Sequence, residues 1–222
     1  MKERAIDRYY KLLDKNGRLD ENKVAEYNLD KGFDNVFALG TDVANSEAGD
    51  KASNVRGRGM VLYDAEAFPC PDANKLGHKV KQIKDDYEIE DRHIKVDGIG
   101  VGAGAVNTLK EYGIEKININ FIGSEKMIDD GEMTERFKNL RSQSHWLVRE
   151  AFRLDLPAIP NIEELRKDLT TPKVFYKLGK IIVESKEEIK KRLAHSPNMG
   201  DAYIMYLWNF LKPDTSIKFR IK

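Results

Sequence analysis

Two short apolar segments that each end in an aspartate constrain the fold of this chain more than any other feature. Residues 36–44, VFALGTDVA, carry apolar side chains on both faces of an extended chain, which is typical of a strand covered on both sides. Residues 93–99, HIKVDGI, form a second short strand of this kind. Asp42 and Asp97 lie near the ends of these two strands. Since such strands need cover on both faces, the pattern favours an α/β sheet with helices on its faces.

The remaining periodicity agrees with this fold class. Further strands are predicted over 59–68, 117–122 and 180–184, and helices over 72–89, 132–153 and about 196–212. Turn composition over 45–54 predicts a loop, and three prolines within 155–180 predict a loop or a small insertion. Residues 1–35 are charged and lack a long apolar pattern, so they are predicted to be an N-terminal arm or linker remnant. A single domain is expected over 36–222.

Composition excludes several classes of protein. One cysteine, Cys70, excludes an intrachain disulfide framework, and four histidines with one cysteine exclude a zinc finger. The sequence contains no Walker motif and no apolar run long enough to cross a bilayer. With 38 basic and 37 acidic residues the net charge is +1, so any surface that binds nucleic acid must be a local cluster of basic residues. We expect a soluble, intracellular protein.

The strand-end aspartates point to metal chemistry. Burying a carboxylate in a covered strand is costly unless the charge is compensated. Asp201, in the first turns of the last predicted helix, is a third candidate. Three carboxylates that converge would repel one another unless they shared divalent cations, and hard oxygen ligands suit Mg²⁺ or Mn²⁺. Turn formation by Asp42 and Asp97, and a helix-dipole role for Asp201, are the alternatives that spacing alone leaves open.

Four segments, in order, resemble a known family. They are ALGTDVANSEAGDKAS (38–53), IKVDGIGVGAGAVNTLKE (94–111), FKNLRSQSHWLVREAF (137–152) and ESKEEIKKRLAHSPNMGDAYIMY (184–206). The first resembles a G-x-D-x-A motif, the second an aspartate before a glycine-rich turn, the third an N-x-R…W helix, and the fourth an E-S-K-E-E…S-P-x-x-x-D-A signature. Together they resemble the C-terminal nuclease domain of phage terminase large subunits.

The resemblance implies a fold and a site. The fold is RNase H-like, with a mixed central β-sheet and helices on both faces. Asp42, Asp97 and Asp201 match the catalytic, metal-binding aspartates, which would hold two Mg²⁺ or Mn²⁺ ions. Asp50 matches a further acidic residue and is a candidate extra ligand. Asn198 stands where the closing motif often has aspartate, which implies weaker binding of one ion.

The resemblance also implies a function. The activity would be that of an endodeoxyribonuclease, which cuts concatemeric viral DNA during packaging into the procapsid and leaves a 5′ phosphate and a 3′ hydroxyl. Its partners would be double-stranded DNA, an ATPase motor domain of the same protein, the portal protein and the small terminase subunit, without a membrane. The location would be the host cytoplasm. The chain would then be the nuclease part of a longer protein.

Basic residues near the predicted site are candidates for phosphate contact. Lys186 and Arg192 lie in a segment that leads directly to Asp201, and Arg141 lies on the predicted long helix. Such contacts would add affinity without sequence preference. Glu184 and His195 flank this segment, and the sequence leaves their roles open.

Two other functions fit the residues. One is a different RNase H-like nuclease, such as a junction resolvase or a transposase catalytic domain. The other is a noncatalytic DNA-binding or docking module in which the aspartates only make turns. The glycine-rich run 98–105 after Asp97 gives only a weak dinucleotide-binding signal, and we interpret it as room for close backbone approach to Asp97.

Overall fold

The computed structural model describes residues 2–43, 51–98, 102–115, 117–119, 128–129 and 134–211. These residues form eight α-helices and nine strands. The helices are α1 Lys2–Lys11, α2 Glu21–Asp30, α3 Ala73–Asp86, α4 Gly102–Glu111, α5 Leu140–Arg153, α6 Glu163–Thr170, α7 Lys186–Leu193 and α8 Asn198–Leu211. The strands are β1 Phe37–Asp42, β2 Lys51–Arg58, β3 Val61–Pro69, β4 Ile94–Asp97, β5 Asn118–Ile119, β6 Ile128–Asp129, β7 Thr134–Glu135, β8 Val174–Lys177 and β9 Lys180–Val183.

Five strands form the central sheet in the order β3-β2-β1-β4-β5. β1 pairs antiparallel with β2, and β2 with β3, whereas β1 pairs parallel with β4, and β4 with β5. Short antiparallel pairs, β6–β7 and β8–β9, lie outside this sheet. The sheet is therefore mixed, as predicted.

Helices cover both faces of the sheet. Neighbouring residues of β1 point to opposite sides, so Ala38 packs in one core with α5, α6 and α8, and Leu39 packs in the other with α3 and α4. All fourteen residues of α8 are buried, which explains why this helix is apolar around most of its circumference. The mixed sheet with helices on both faces confirms the predicted α/β fold class.

Close packing of α8 on β1 depends on one glycine. A Cβ atom on Gly40 would lie 2.0 Å from the carbonyl oxygen of Ala202 and 2.4 Å from the amide nitrogen of Tyr206. Only a residue without a side chain lets the helix backbone approach the strand this closely. The contact brings the first turn of α8 to the carboxyl end of β1.

Local predictions differ from the structure in four places. β2 begins at Lys51, inside the segment predicted as a turn. The long helix begins at 140 rather than 132, because the Asn139 side chain accepts the Ser142 N–H and caps it there. The hairpin of β8 and β9 begins within the predicted loop 155–180. A helix, α7, begins at Lys186, and its capping box of Ser185 and Glu188 is a sequence signal that could have predicted it.

The first 35 residues pack against the domain. Ala5 of α1 and Val24 of α2 are fully buried, and Arg8 donates two hydrogen bonds to the Pro157 carbonyl oxygen. Tyr27 donates a hydrogen bond of 2.7 Å to the Leu156 carbonyl oxygen. In the structure this segment thus forms two helices that contact the loop after α5. Among the described residues, no helix is both long and apolar enough to cross a membrane.

Candidate metal centre

Two aspartates lie at the same edge of the central sheet. Asp42 is the last residue of β1, and Asp97 is the last residue of the parallel neighbour β4. The register pairs Thr41 with Val96, so the two aspartates follow side by side at the carboxyl ends of their strands. Asp42 is 1% exposed, and Asp97 is half-buried. Repulsion from Asp97 contributes to the raised pKa of Asp42, which shows that the carboxylates interact.

The third aspartate approaches from α8. Asp201 lies in the first turn of this helix and is fully buried. Its backbone N–H donates to the Pro197 carbonyl oxygen at 2.9 Å, which anchors the start of the helix. The structure therefore brings Asp201 to Asp42, 159 positions earlier in the chain, as the sequence predicted for convergent carboxylates.

A lysine ammonium group lies between the Asp42 and Asp201 carboxylates. The Lys186 Nζ atom is 2.5 Å from Asp42 Oδ1 and 3.1 Å from Asp201 Oδ2. Burial alone would lower the pKa of Lys186, but the attraction of the two carboxylates outweighs it and the net shift is upward. Lys186 is therefore charged and occupies a position that favours cations.

The other oxygen of Asp201 is held from α5. Arg141 Nη1 donates to Asp201 Oδ1 at 2.7 Å, and His145 Nε2 lies 3.3 Å from the same oxygen. Burial raises the pKa of Asp201, but Arg141 and then Lys186 overcome this effect and the net shift is downward. Burial and the adjacent Arg141 lower the pKa of His145 to about 4, so its imidazole is neutral at pH 7.

Asp42 has a different environment from Asp201. Burial, opposed by Lys186 and reinforced by Asp201, raises the pKa of Asp42 to about 7. Its Oδ2 atom is buried and has no hydrogen-bond partner among the described residues. Asp201 has an arginine of its own and Asp42 does not, which is why the two pKa values shift in opposite directions although both carboxylates contact Lys186.

These residues fit a divalent cation. An unpartnered buried carboxylate oxygen, two further acids nearby and a captured ammonium group are the features of a site built for positive charge. Within the described part of the chain, no three side chains of the kinds that ligate metals enclose a single point. Because the Lys186 ammonium group lies between Asp42 and Asp201, a divalent cation shared by these two carboxylates would have to displace it.

The other predicted site residues have the following positions. Arg192 donates to both oxygens of Glu184, at 3.0 and 2.6 Å, and to the Thr171 carbonyl oxygen. Glu184 also accepts the Lys173 N–H, and its contact with Arg192 lowers its pKa. His195 is about half exposed. Asp50, the candidate extra ligand, lies outside the described residues.

Sequence reasoning missed the groups that support the aspartates. Arg141 was predicted to contact phosphate, but it contacts Asp201, and His145 lies beside the same carboxylate. The four-residue spacing of Arg141 and His145 places them on one helix face, which is the signal that was available. Nothing in the sequence paired that face with Asp201.

The Arg141→Ala variant tests this support. It leaves Asp201 buried without its strongest charge partner, so we expect a loss of about 3 kcal/mol in the free energy of unfolding. Urea denaturation monitored by circular dichroism measures this loss. Arg149→Ala, on an exposed part of the same helix, is the control and should cost less than about 1 kcal/mol. Equal losses in both variants would show that the Arg141–Asp201 pair has no special role.

Comparisons with known proteins agree on the fold. No family model and no curated protein sequence matches the chain. Solved structures do match. The nuclease domain of the large terminase subunit gp2 of bacterial virus Sf6 is 18% identical, with a TM-score of 0.70 over 93% of this chain and 97% of that one. A lysine-to-alanine variant of that domain, solved with manganese, is 18% identical, with a TM-score of 0.69 over the same shares of the two chains.

A more distant match comes from another phage. The large terminase nuclease from thermophilic phage G20c, solved with bound magnesium, is 12% identical, with a TM-score of 0.57 over 78% of this chain and 80% of that one. At these identities the similarity shows a common fold. The predicted resemblance is confirmed at that level: the chain has the fold of the nuclease domain of phage terminase large subunits.

Proposed function

We propose that the protein is a divalent-cation-dependent DNA endonuclease of a phage packaging machine. One observation carries the proposal: the carboxylates of Asp42 and Asp201 converge on a half-buried cation, the Lys186 ammonium group, and Asp97 ends the strand beside Asp42. Solved structures of the same fold that contain manganese or magnesium support the use of divalent ions.

Asp42, Asp97 and Asp201 would hold Mg²⁺ or Mn²⁺. When bound, two such ions acidify a water molecule and neutralise the leaving 3′ oxygen of a phosphodiester. Arg141 donates a hydrogen bond to Oδ1 of Asp201 and His145 lies beside this oxygen, whereas Oδ2 faces Lys186. Lys186, once displaced from the carboxylates, remains close enough to offer its charge to a phosphate group.

The proposed substrate and partners rest on the fold that the chain shares with terminase nuclease domains. Double-stranded DNA in concatemeric form is the proposed substrate, cut in the host cytoplasm to a 5′ phosphate and a 3′ hydroxyl. An ATPase motor domain, the portal protein and the small terminase subunit are the proposed partners. Lys186 is the strongest candidate for a phosphate contact at the site, because Arg192 is already bonded to Glu184 and Arg141 is buried beneath Asp201.

Metal removal tests the proposed activity. Incubation of supercoiled plasmid with the protein and Mn²⁺ should give nicked and then linear DNA, visible on an agarose gel. EDTA should abolish cleavage, and an excess of Mn²⁺ should restore it, because the carboxylates cannot activate water without an ion. Cleavage that continues in EDTA would exclude a metal-dependent nuclease.

Two measurements distinguish the proposed packaging nuclease from the two alternative functions. A resolvase-like nuclease should cut a four-way junction faster than a linear duplex of the same sequence, whereas a packaging nuclease should show no such preference. A noncatalytic module should bind no divalent cation in a calorimetric titration. Convergence of Asp42, Asp97 and Asp201 favours the packaging nuclease over this last alternative.

A further inference from the structure

A fourth carboxylate lies buried behind the metal centre. Asp168 of α6 is 2% exposed, and its Oδ1 atom has no hydrogen-bond partner among the described residues. The His195 Nδ1 atom is 3.9 Å from this oxygen, but it lies 3.0 Å from the Ser196 carbonyl oxygen and its ring is about half exposed. Asp168 thus has no close cation to offset the cost of its burial.

The other oxygen of Asp168 holds the start of α8. Its Oδ2 atom accepts the Gly200 N–H at 3.1 Å. This N–H belongs to the first turn of the helix, where amide groups have no partner within the helix. A Cβ atom on Gly200 would lie 2.7 Å from Asp168 Cβ, so the contact requires glycine at this position. Gly200 directly precedes Asp201, and Asp168 therefore fixes the turn that carries this aspartate.

Capping this turn with a carboxylate costs free energy, because a charge must be buried. An asparagine could accept the same N–H without burying a charge. Burial raises the pKa of Asp168 to about 6; the Gly200 N–H and His195 oppose this shift, and repulsion from Asp201 reinforces it. The buried charge of Asp168 is therefore only partly compensated by these neighbours.

We propose that Asp168 is a positioning residue of the metal centre, which holds the first turn of α8 through Gly200 and strengthens cation binding at Asp201 through its charge. The inference rests on the proposed function, since it needs a metal to bind at Asp201. Asp168 contacts α8 at Gly200, directly before Asp201, so it acts through Asp201 and not on the substrate.

Calorimetric titration with Mn²⁺ at pH 8 tests the proposal. Asp168→Asn keeps an acceptor for Gly200 and removes the charge, so we expect the Kd for Mn²⁺ to rise about three- to tenfold, with Tm unchanged or higher. Asp168→Ala removes the acceptor as well and should weaken binding further. Asp20→Ala is the matched control: it removes the cap of α2, should lower Tm, and should leave the Kd within about twofold of the wild type.

The outcomes separate the two proposals. A wild-type protein that binds no Mn²⁺ would contradict the proposed function itself. Wild-type binding together with an unchanged Kd in Asp168→Asn would overturn the inference, as would a fall in the Tm of that variant, which would show a purely structural role. The asparagine variant decides the question even if Asp168→Ala does not fold.

Discussion

The Asp42→Asn variant is expected to lose Mn²⁺-dependent plasmid cleavage by about a thousandfold or more while keeping its fold. A metal ligand supplies several kcal/mol of transition-state stabilisation, and about 4 kcal/mol corresponds to that factor. The asparagine side chain can still accept a hydrogen bond from the Lys186 ammonium group, so packing at the end of β1 survives. Initial rates of nicking, measured on supercoiled plasmid, give the effect.

Two controls accompany this variant. Asp97→Asn, at the end of the adjacent strand, should lose activity to a similar extent if the two carboxylates share ions. Asp72→Asn changes a carboxylate that caps α3 and should cleave at the wild-type rate. Circular dichroism should show folded protein in all three cases. Undiminished nicking by both Asp42→Asn and Asp97→Asn would exclude these aspartates as metal ligands.

Local patterns were sufficient to predict the sheet and its two strand-end aspartates. Apolar residues on both faces of 36–44 can only be buried by two helical layers, and the structure has them. The carboxyl ends of adjacent parallel strands lie at one edge, so the approach of Asp42 to Asp97 follows from strand order. Asp201 could be placed near them only through the resemblance, because the packing of α8 depends on the distant Gly40.

Contacts between distant segments were beyond sequence reasoning. The ion pair of Lys186 with Asp42 joins residues 144 positions apart, and a lysine at the start of a helix gives no signal of its partner. Strand β8 was missed for a different reason, although its partner β9 was predicted. All four residues of β8 are exposed, so they lack the alternation of buried and exposed side chains that marks a strand.

Three separate helices hold Asp201 in position. Arg141 of α5 holds one oxygen, Lys186 of α7 faces the other, and Asp168 of α6 fixes the preceding amide. Each contact comes from a part of the chain that could shift independently. These contacts hold the side chain of Asp201 and the backbone just before it. Asp201 is therefore preorganised, and binding of a cation needs little rearrangement of this residue.

Replacing Lys186 with alanine is expected to destabilise the metal-free protein and to tighten Mn²⁺ binding. Without the ammonium group, Asp42 and Asp201 face each other across a buried site with no charge between them. Removing one partner of a buried ion pair costs about 3 kcal/mol or more in the free energy of unfolding, or roughly 6–12 °C in Tm for a domain of this size. Thermal unfolding in EDTA measures this loss.

Mn²⁺ should reverse the loss, because the ion takes the place of the ammonium group. Without competition from Lys186, Mn²⁺ should bind at least about tenfold more tightly. A ligand that binds only the folded state raises the stability of that state. The variant should therefore approach the wild-type Tm at saturating Mn²⁺. Lys191→Ala, at an exposed position of the same helix, should change neither quantity. Weaker Mn²⁺ binding in Lys186→Ala would mean that the lysine assists the ion, and that the cation site lies elsewhere than between Asp42 and Asp201.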